Sequence, residues 1–210
     1  MSAPGIAIVD YGMGNRRSAE KALERVGARA SITRDPAQLR AADGLLLPGV
    51  GAFPAAMRTI RELELEELLV EQARAGVPFF GACMGMQLLF ESSGEGEGAT
   101  GLGLLRGDVR RLDTRGLKLP QMGWNDVRWQ RDEALNAGLP DPSIFYHVHS
   151  YVPHPADPDD VLGVSEYGSP FVTVVARDNV FGAQFHPEKS SAHGLALLEN
   201  FAGICARVAA

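Results

Sequence analysis

Cysteine is nearly missing from this 210-residue chain: Cys83 and Cys205 are the only two. Two thiols are too few for a disulfide framework, and a reducing compartment suits a thiol that must stay free, so the chain reads as cytoplasmic. Basic clusters interleaved with aromatics are missing as well. Aromatic residues make up 7% and the formal net charge is −6, which removes the electrostatic footprint of a nucleic-acid binder and leaves small molecules or proteins as expected partners. No apolar run approaches membrane-spanning length, and the start "MSAPGIAIVDYG" has no basic region followed by a long apolar segment and cleavage site. Nor does the chain carry a low-complexity block, an internal repeat or a phosphate-binding P-loop.

What is there is ordinary globular material, 45% apolar and 22% charged. The length predicts one domain, residues 1–210, with a sizeable core. Through the first half, short apolar runs alternate with helical patterns: "GIAIV" at 5–9, a helix from about Ser18 to Val26, and "GLLLP" at 44–48. A helical pattern through "IRELELEELLVEQARAG", the run "VPFF" and a helix from about Met84 to Glu91 follow. This alternation predicts right-handed βαβ units and a parallel sheet. Beyond residue 105 the segments "DVRRL", "WNDVRW", "SIFYHVHSYV", "VLGVSEY", "FVTVVARDN" and "VFGAQFH" read as strands, several antiparallel. A last helical pattern, "SSAHGLALLENFAGICARVAA", has Ser190 or Ser191 as its N-cap. The expectation is a three-layer, flavodoxin-like α/β fold whose mixed sheet carries an antiparallel extension.

Four segments could carry chemistry. In "GIAIVDYGMGNRRS" a strand runs into glycines, but a dinucleotide fingerprint needs a third glycine three residues after Gly14, and Arg17 stands there. In "FFGACMGMQ", Gly81 and Gly85 flank Cys83 at a distance of two, the spacing of a nucleophile elbow with cysteine in place of serine. A strand turning at once into a helix needs small residues around the turn, and the side chain at its tip is pushed out near a helix N-terminus. The other reading is a small buried cysteine, as Cys205 on the apolar stripe of the last helix is expected to be.

In "GAQFHPEKS", His186 and Glu188 lie two apart, so an extended segment would send both side chains to one face, with Pro187 helping to end the strand. A carboxylate beside an imidazole fixes its tautomer and stabilises the imidazolium, which is the pair a thiol nucleophile needs. A strand-end histidine with a solvated glutamate is the alternative. His147 and His149, also two apart, could share a face with His186 as a metal site, but no second cysteine or HExxH pattern joins them, and hydrogen-bonded core histidines are the expectation. "LLLPGVGAF" places Gly49 and Gly51 around Val50, where the backbone could turn an N–H toward a ligand or away from it.

Taken with "DYGMGN", "QMGWN" and "HSY", these segments occur in an order that resembles the class I (triad-type) glutamine amidotransferases over essentially the whole chain. Among them the chain is similar to the glutaminase subunits of imidazole glycerol phosphate synthase, an enzyme of histidine biosynthesis. The resemblance implies Cys83 as nucleophile, His186 as general acid and base, and Glu188 as the group orienting it. It implies an oxyanion hole from backbone N–H groups of Met84 and of Val50 and Gly51, and glutamine held by Gln87, Glu95, Ser150 and Tyr151. It further implies a heterodimer with a (β/α)8-barrel cyclase that receives the ammonia, docked near Trp124 and Lys189. No cofactor and no metal are expected. Arg16 followed by Arg17 departs from the family, which has an apolar residue after the asparagine of "GMGN". Rival readings are a glutaminase serving another pathway, such as pyridoxal phosphate or anthranilate synthesis, a free-standing cysteine hydrolase, and a non-catalytic flavodoxin-like binding module.

Overall fold

The computed structural model describes residues 3–208; the first two residues of the N-terminal stretch and the last two alanines of the final helical pattern lie outside them. The first half alternates as read, with β2 and α2 as elements the reading did not name: β1 (Gly5–Val9), α1 (Arg16–Arg25), β2 (Arg29–Thr33), α2 (Pro36–Arg40), β3 (Gly44–Gly49), α3 (Phe53–Glu62), α4 (Glu66–Arg74), β4 (Phe79–Cys83) and α5 (Met84–Gln87). Then come β5 (Phe90–Ser93), β6 (Ala99–Thr100), β7 (Leu105–Arg111), β8 (Gln121–Trp129), β9 (Ser143–His149), β10 (Tyr151–Pro155), β11 (Val161–Tyr167), β12 (Ser169–Arg177), β13 (Val180–Ala183) and α6 (Ser191–Val208).

Nine strands form one mixed sheet in the order β2-β1-β3-β4-β13-β12-β11-β8-β9, and β10-β7-β5-β6 form a second. Strands β2, β1, β3, β4 and β13 run parallel, and β12, β11, β8 and β9 follow as the antiparallel extension. The central strands are apolar on both faces because helices cover both. β3 is buried at every position, and so are β4 and β13. One core packs Val9, Leu47, Phe53, Ile60 and Leu69 on one side of the sheet, and another packs Ile8, Phe80, Phe145, Phe185, Leu197 and Phe201 on the other.

Two helices differ from the sequence reading. The single pattern through "IRELELEELLVEQARAG" is broken: α3 ends at Glu62, Glu64 takes φ 56°, and α4 starts at Glu66. Leu65 stands at the break, and Leu65, Leu68 and Leu69 all lie in the core. The helix expected over Met84 to Glu91 is one turn long, because Phe90–Ser93 leaves it as a strand pairing with β7. Ser190 is not a side-chain cap of α6 either. Its hydroxyl donates to the His186 carbonyl at 2.7 Å and accepts from the Tyr146 N–H at 2.9 Å, strapping β9 to the turn before the helix.

Candidate active site

Three parallel strands end side by side, β3 next to β4 and β4 next to β13, with Gly49 opposite Cys83 and Ala82 opposite Ala183. The Val50 segment, Cys83 and His186 therefore emerge together at the carboxyl edge of the sheet, where open α/β sheets take their ligands.

Cys83 is the last residue of β4 and sits at φ 54°, ψ −112°, a backbone conformation that non-glycine residues seldom adopt. The glycines around it are required by close approach. A Cβ on Gly81 would stand 2.5 Å from the Gly85 carbonyl oxygen, and one on Gly85 would collide with the Leu47 carbonyl of β3. The elbow is thus wedged against its neighbour strand, with Cys83 at its tip 7% exposed.

His186 reaches the same point from β13. Its side chain borders the same cavity as Cys83, and its Nδ1 stands 3.0 Å from Glu188 Oε1. Burial alone would lower the imidazole's pKa, but hydrogen bonds to Cys83 and Glu188 and their charges outweigh it and raise it to about 10 from an ordinary 6.5. The partners meet as expected, though not by strand alternation. β13 ends at Ala183, and Pro187–Lys189 form a 3-10 turn that folds the Glu188 carboxylate back onto the ring. With α5 only four residues long, the imidazolium is the larger local positive charge beside the sulfur, and the helix end the smaller.

A cavity of about 390 Å³ opens over this centre. Val50 and Gly51, Cys83 and Met84, and His186 and Lys189 line it, as do Gln87, Glu95, Ser150 and Tyr151. Glu95 is anchored by the backbone N–H of Phe53 at 2.7 Å, at the start of α3 and directly after the Val50 segment. On the other side of that segment, the buried Tyr11 hydroxyl donates to the Pro48 carbonyl at 2.8 Å. Gly51 has φ 98°, so the segment between the two anchors is held in a conformation only glycine adopts freely. Trp124 lies outside the cavity, 56% exposed, with its ring edge against Tyr146.

His147 and His149 do not form a metal centre with His186. His147 Nδ1 meets the Phe145 carbonyl and Nε2 the Thr173 hydroxyl at 2.8 Å, so both ring nitrogens are engaged within the protein. Burial lowers the pKa of His147 to about 4 and that of His149 to about 3, keeping both neutral. Among the described residues no group of three or more potential ligands is placed to hold a metal ion. Arg16 pairs with Asp10, a local contact that leaves the triad untouched.

The sequence reading did not single out Asn15, Pro120 and Val148, which also border the cavity, or Gln184, whose side chain touches Cys83; His149, read there as a possible metal ligand, borders the cavity instead. For Gln184 a signal existed: it lies two residues before His186, on the face of the strand that carries the histidine, while Phe185 between them stacks on Phe145 at 3.8 Å.

An elbow cysteine and a strand-end histidine oriented by a carboxylate over one substrate-sized cavity define a thiol-dependent acyl-transfer site. The family model for "Glutamine amidotransferase class-I" matches residues 7–204, and the chain belongs to that family. Within it, the chain belongs with the HisH subunits. It is 50% identical over 196 residues to "Imidazole glycerol phosphate synthase subunit HisH" of Moorella thermoacetica, covering 93% of each chain, and 51% identical over 201 residues to the protein of the same name from Bacillus cereus, covering 95% of this chain and 94% of that one. A solved "glutamine amidotransferase" superposes with a TM-score of 0.76 at 21% identity, covering 96% of this chain and 98% of that one. The structure described as "PurLQS from Thermotoga maritima" gives 0.74 at 20% identity, covering 96% and 99%; both likenesses concern the fold.

Proposed function

We propose that this chain is the glutaminase subunit of an imidazole glycerol phosphate synthase, hydrolysing glutamine with Cys83, His186 and Glu188 and passing the ammonia to a cyclase subunit. The observation that carries the site assignment is the meeting of Cys83 and His186 from adjacent strand ends, with Glu188 3.0 Å from the far ring nitrogen. The Cys83 sulfur attacks the carboxamide carbon of glutamine, and the oxyanion that forms is held by backbone N–H groups of Met84 and of Val50 or Gly51. The imidazolium of His186 gives its proton to the nitrogen, and ammonia departs to leave a thioester. Water then adds as His186 takes one of its protons; the adduct collapses to release glutamate and expel Cys83 as thiolate, and the proton kept on His186 restores the starting ion pair. Glu188 keeps the ring oriented and charged while it waits.

Glu95 suits the α-ammonium of glutamine, because its carboxylate is already fixed by Phe53 and borders the cavity. Gln87, Ser150 and Tyr151 complete the substrate cradle. Met122, Trp124 and Ile144 are 65%, 56% and 43% exposed on neighbouring strands β8 and β9, an apolar face beside the cavity mouth that suits burial against the cyclase. Lys189, which borders the cavity, suits a charged contact at the edge of that surface. The similarity implies that the cyclase is a (β/α)8 barrel producing imidazole glycerol phosphate and AICAR. Ammonia released to water becomes ammonium and is lost as a nucleophile, so activity should depend on docking. A flip of the peptide around Val50 on partner loading would supply that dependence. We read residues 1–210 as one functional domain, and the free thiols of Cys83 and Cys205 as suited to the cytoplasm.

Glutamate formation from glutamine, measured for the chain alone, with the cyclase subunit, and with that subunit and its nucleotide ligand, tests this reading. Low activity alone and a strong rise in the loaded complex are expected; full speed without a partner removes the gating. Cys83→Ala should abolish hydrolysis while the complex still assembles, and turnover in that variant removes the nucleophile assignment.

A further inference from the structure

Gln184 is fully buried directly after β13, where a polar side chain is costly unless its amide is satisfied on both ends. Both ends are. Its Oε1 accepts from Gln87 Nε2 at 3.0 Å, and its Nε2 lies 3.8 Å from the Cys83 sulfur. Gln87 Nε2 spends its other hydrogen on the Tyr151 carbonyl at 3.0 Å.

The orientation of both amides follows from the chemistry. A backbone carbonyl only accepts, so the Gln87 atom facing Tyr151 is the nitrogen. That nitrogen reaches the Gln184 amide as a donor, so Gln184 answers with oxygen and must turn its NH2 toward the sulfur. Flipping either amide would set donor against donor or acceptor against acceptor in a buried place. The remaining Gln87 oxygen is buried, has no hydrogen-bond partner among the described residues, and belongs to a side chain lining the cavity.

We propose that Gln184 is a positioning residue of this site: its side-chain N–H holds the Cys83 sulfur in the attacking rotamer, and Gln87 keeps that N–H turned to the sulfur. The chain of bonds runs Tyr151 carbonyl, Gln87, Gln184, Cys83. A substrate donor that engages the free Gln87 oxygen pulls on the same chain, so occupancy of the cavity steadies the nucleophile. Misplacement of a reacting atom by about 1 Å costs on the order of 100-fold, so a loosened sulfur should be visible in rate. The proposal rests on Cys83 being the nucleophile.

Two variants test it in the assembled, ligand-loaded complex. Gln184→Glu keeps the size and the acceptor for Gln87 but removes the donor, and Gln184→Met removes both polar ends at similar volume. In each, kcat for glutamate formation should fall roughly 10-fold to 100-fold while KM stays within about threefold, and iodoacetamide should alkylate Cys83 correspondingly more slowly, with Cys205 as the internal control. Combined with Gln87→Leu, the loss in kcat should be clearly less than the product of the single losses, because both act through one chain. If Gln184→Met does not assemble, Gln184→Glu decides. Unchanged kcat and alkylation in an assembled variant, or a loss confined to KM, overturns the proposal. A wild-type complex without turnover, or with Cys83 no more reactive than Cys205, would instead sink the nucleophile assignment itself.

Discussion

His186 carries two supports for its positive charge, and each can be removed separately. Its pKa is raised from 6.5 to about 10 because Cys83 and Glu188 together overcome the effect of burial. A raised pKa means that the fold takes up a proton, so the stability contributed by this charge is complete below about pH 6.5 and drains away as pH climbs to about 10. Proton donation to departing ammonia should fail over the same alkaline range. Glu188→Gln removes one support and should move the alkaline limb of kcat/KM to lower pH, which a pH–rate profile of the loaded complex reads directly; an unmoved limb would mean that Glu188 does not act on the ring. Cys205 is a built-in contrast, since burial, with Asp43 nearby, pushes its thiol up to about 12. Selective alkylation at neutral pH should therefore mark Cys83 alone. Residues at this scale were readable in the sequence wherever chemistry confines the choice, as in the cysteine between two glycines and the "HPE" run. Gln184 escaped because an amide has no reactivity of its own, so its place two residues before His186 did not draw notice.

At the scale of elements, the reading succeeded where a pattern is long and failed where a boundary is set by a distant partner. The alternation at β1, β3 and β4 is visible because buried parallel strands are apolar throughout. β5 and β6 were missed: four and two residues long, they exist through pairing with β7 and each other. The shortening of α5 has the same origin, and Glu188 arrived at His186 through a 3-10 turn that alternation did not foresee. The elbow is the element with least freedom. Gly85→Ala would drive a methyl group into the β3 backbone at Leu47, so β3 and β4 could not keep their spacing. We expect a loss of about 3 kcal/mol or more in denaturant unfolding, in the range of severe core overpacking, and loss of glutaminase activity even where the variant folds.

For the whole molecule, the exposed apolar face of β8 and β9 is the feature that a solitary enzyme would not keep. Trp124 is half exposed and makes its aromatic contact with Tyr146 at a centroid distance of 5.9 Å, so truncation should cost little in the free chain. Trp124→Ala should weaken cyclase binding by about 2 kcal/mol or more, the behaviour of an aromatic interface anchor, while the melting temperature of the isolated subunit barely moves. Titration calorimetry and a thermal scan separate the two. No helix among the described residues is long and apolar enough to cross a membrane.

The strand ends that carry Gly49, Cys83 and the approach to His186 are neighbours in one hydrogen-bonded ladder. The nucleophile and the approach to its base thus belong to one paired sheet, and should melt with the folded state. There should be no temperature at which the sheet persists and the sulfur and imidazole have drifted apart. While the complex stays assembled, residual activity followed against temperature should trace the loss of tertiary signal, which makes turnover itself a thermometer for the innermost strands.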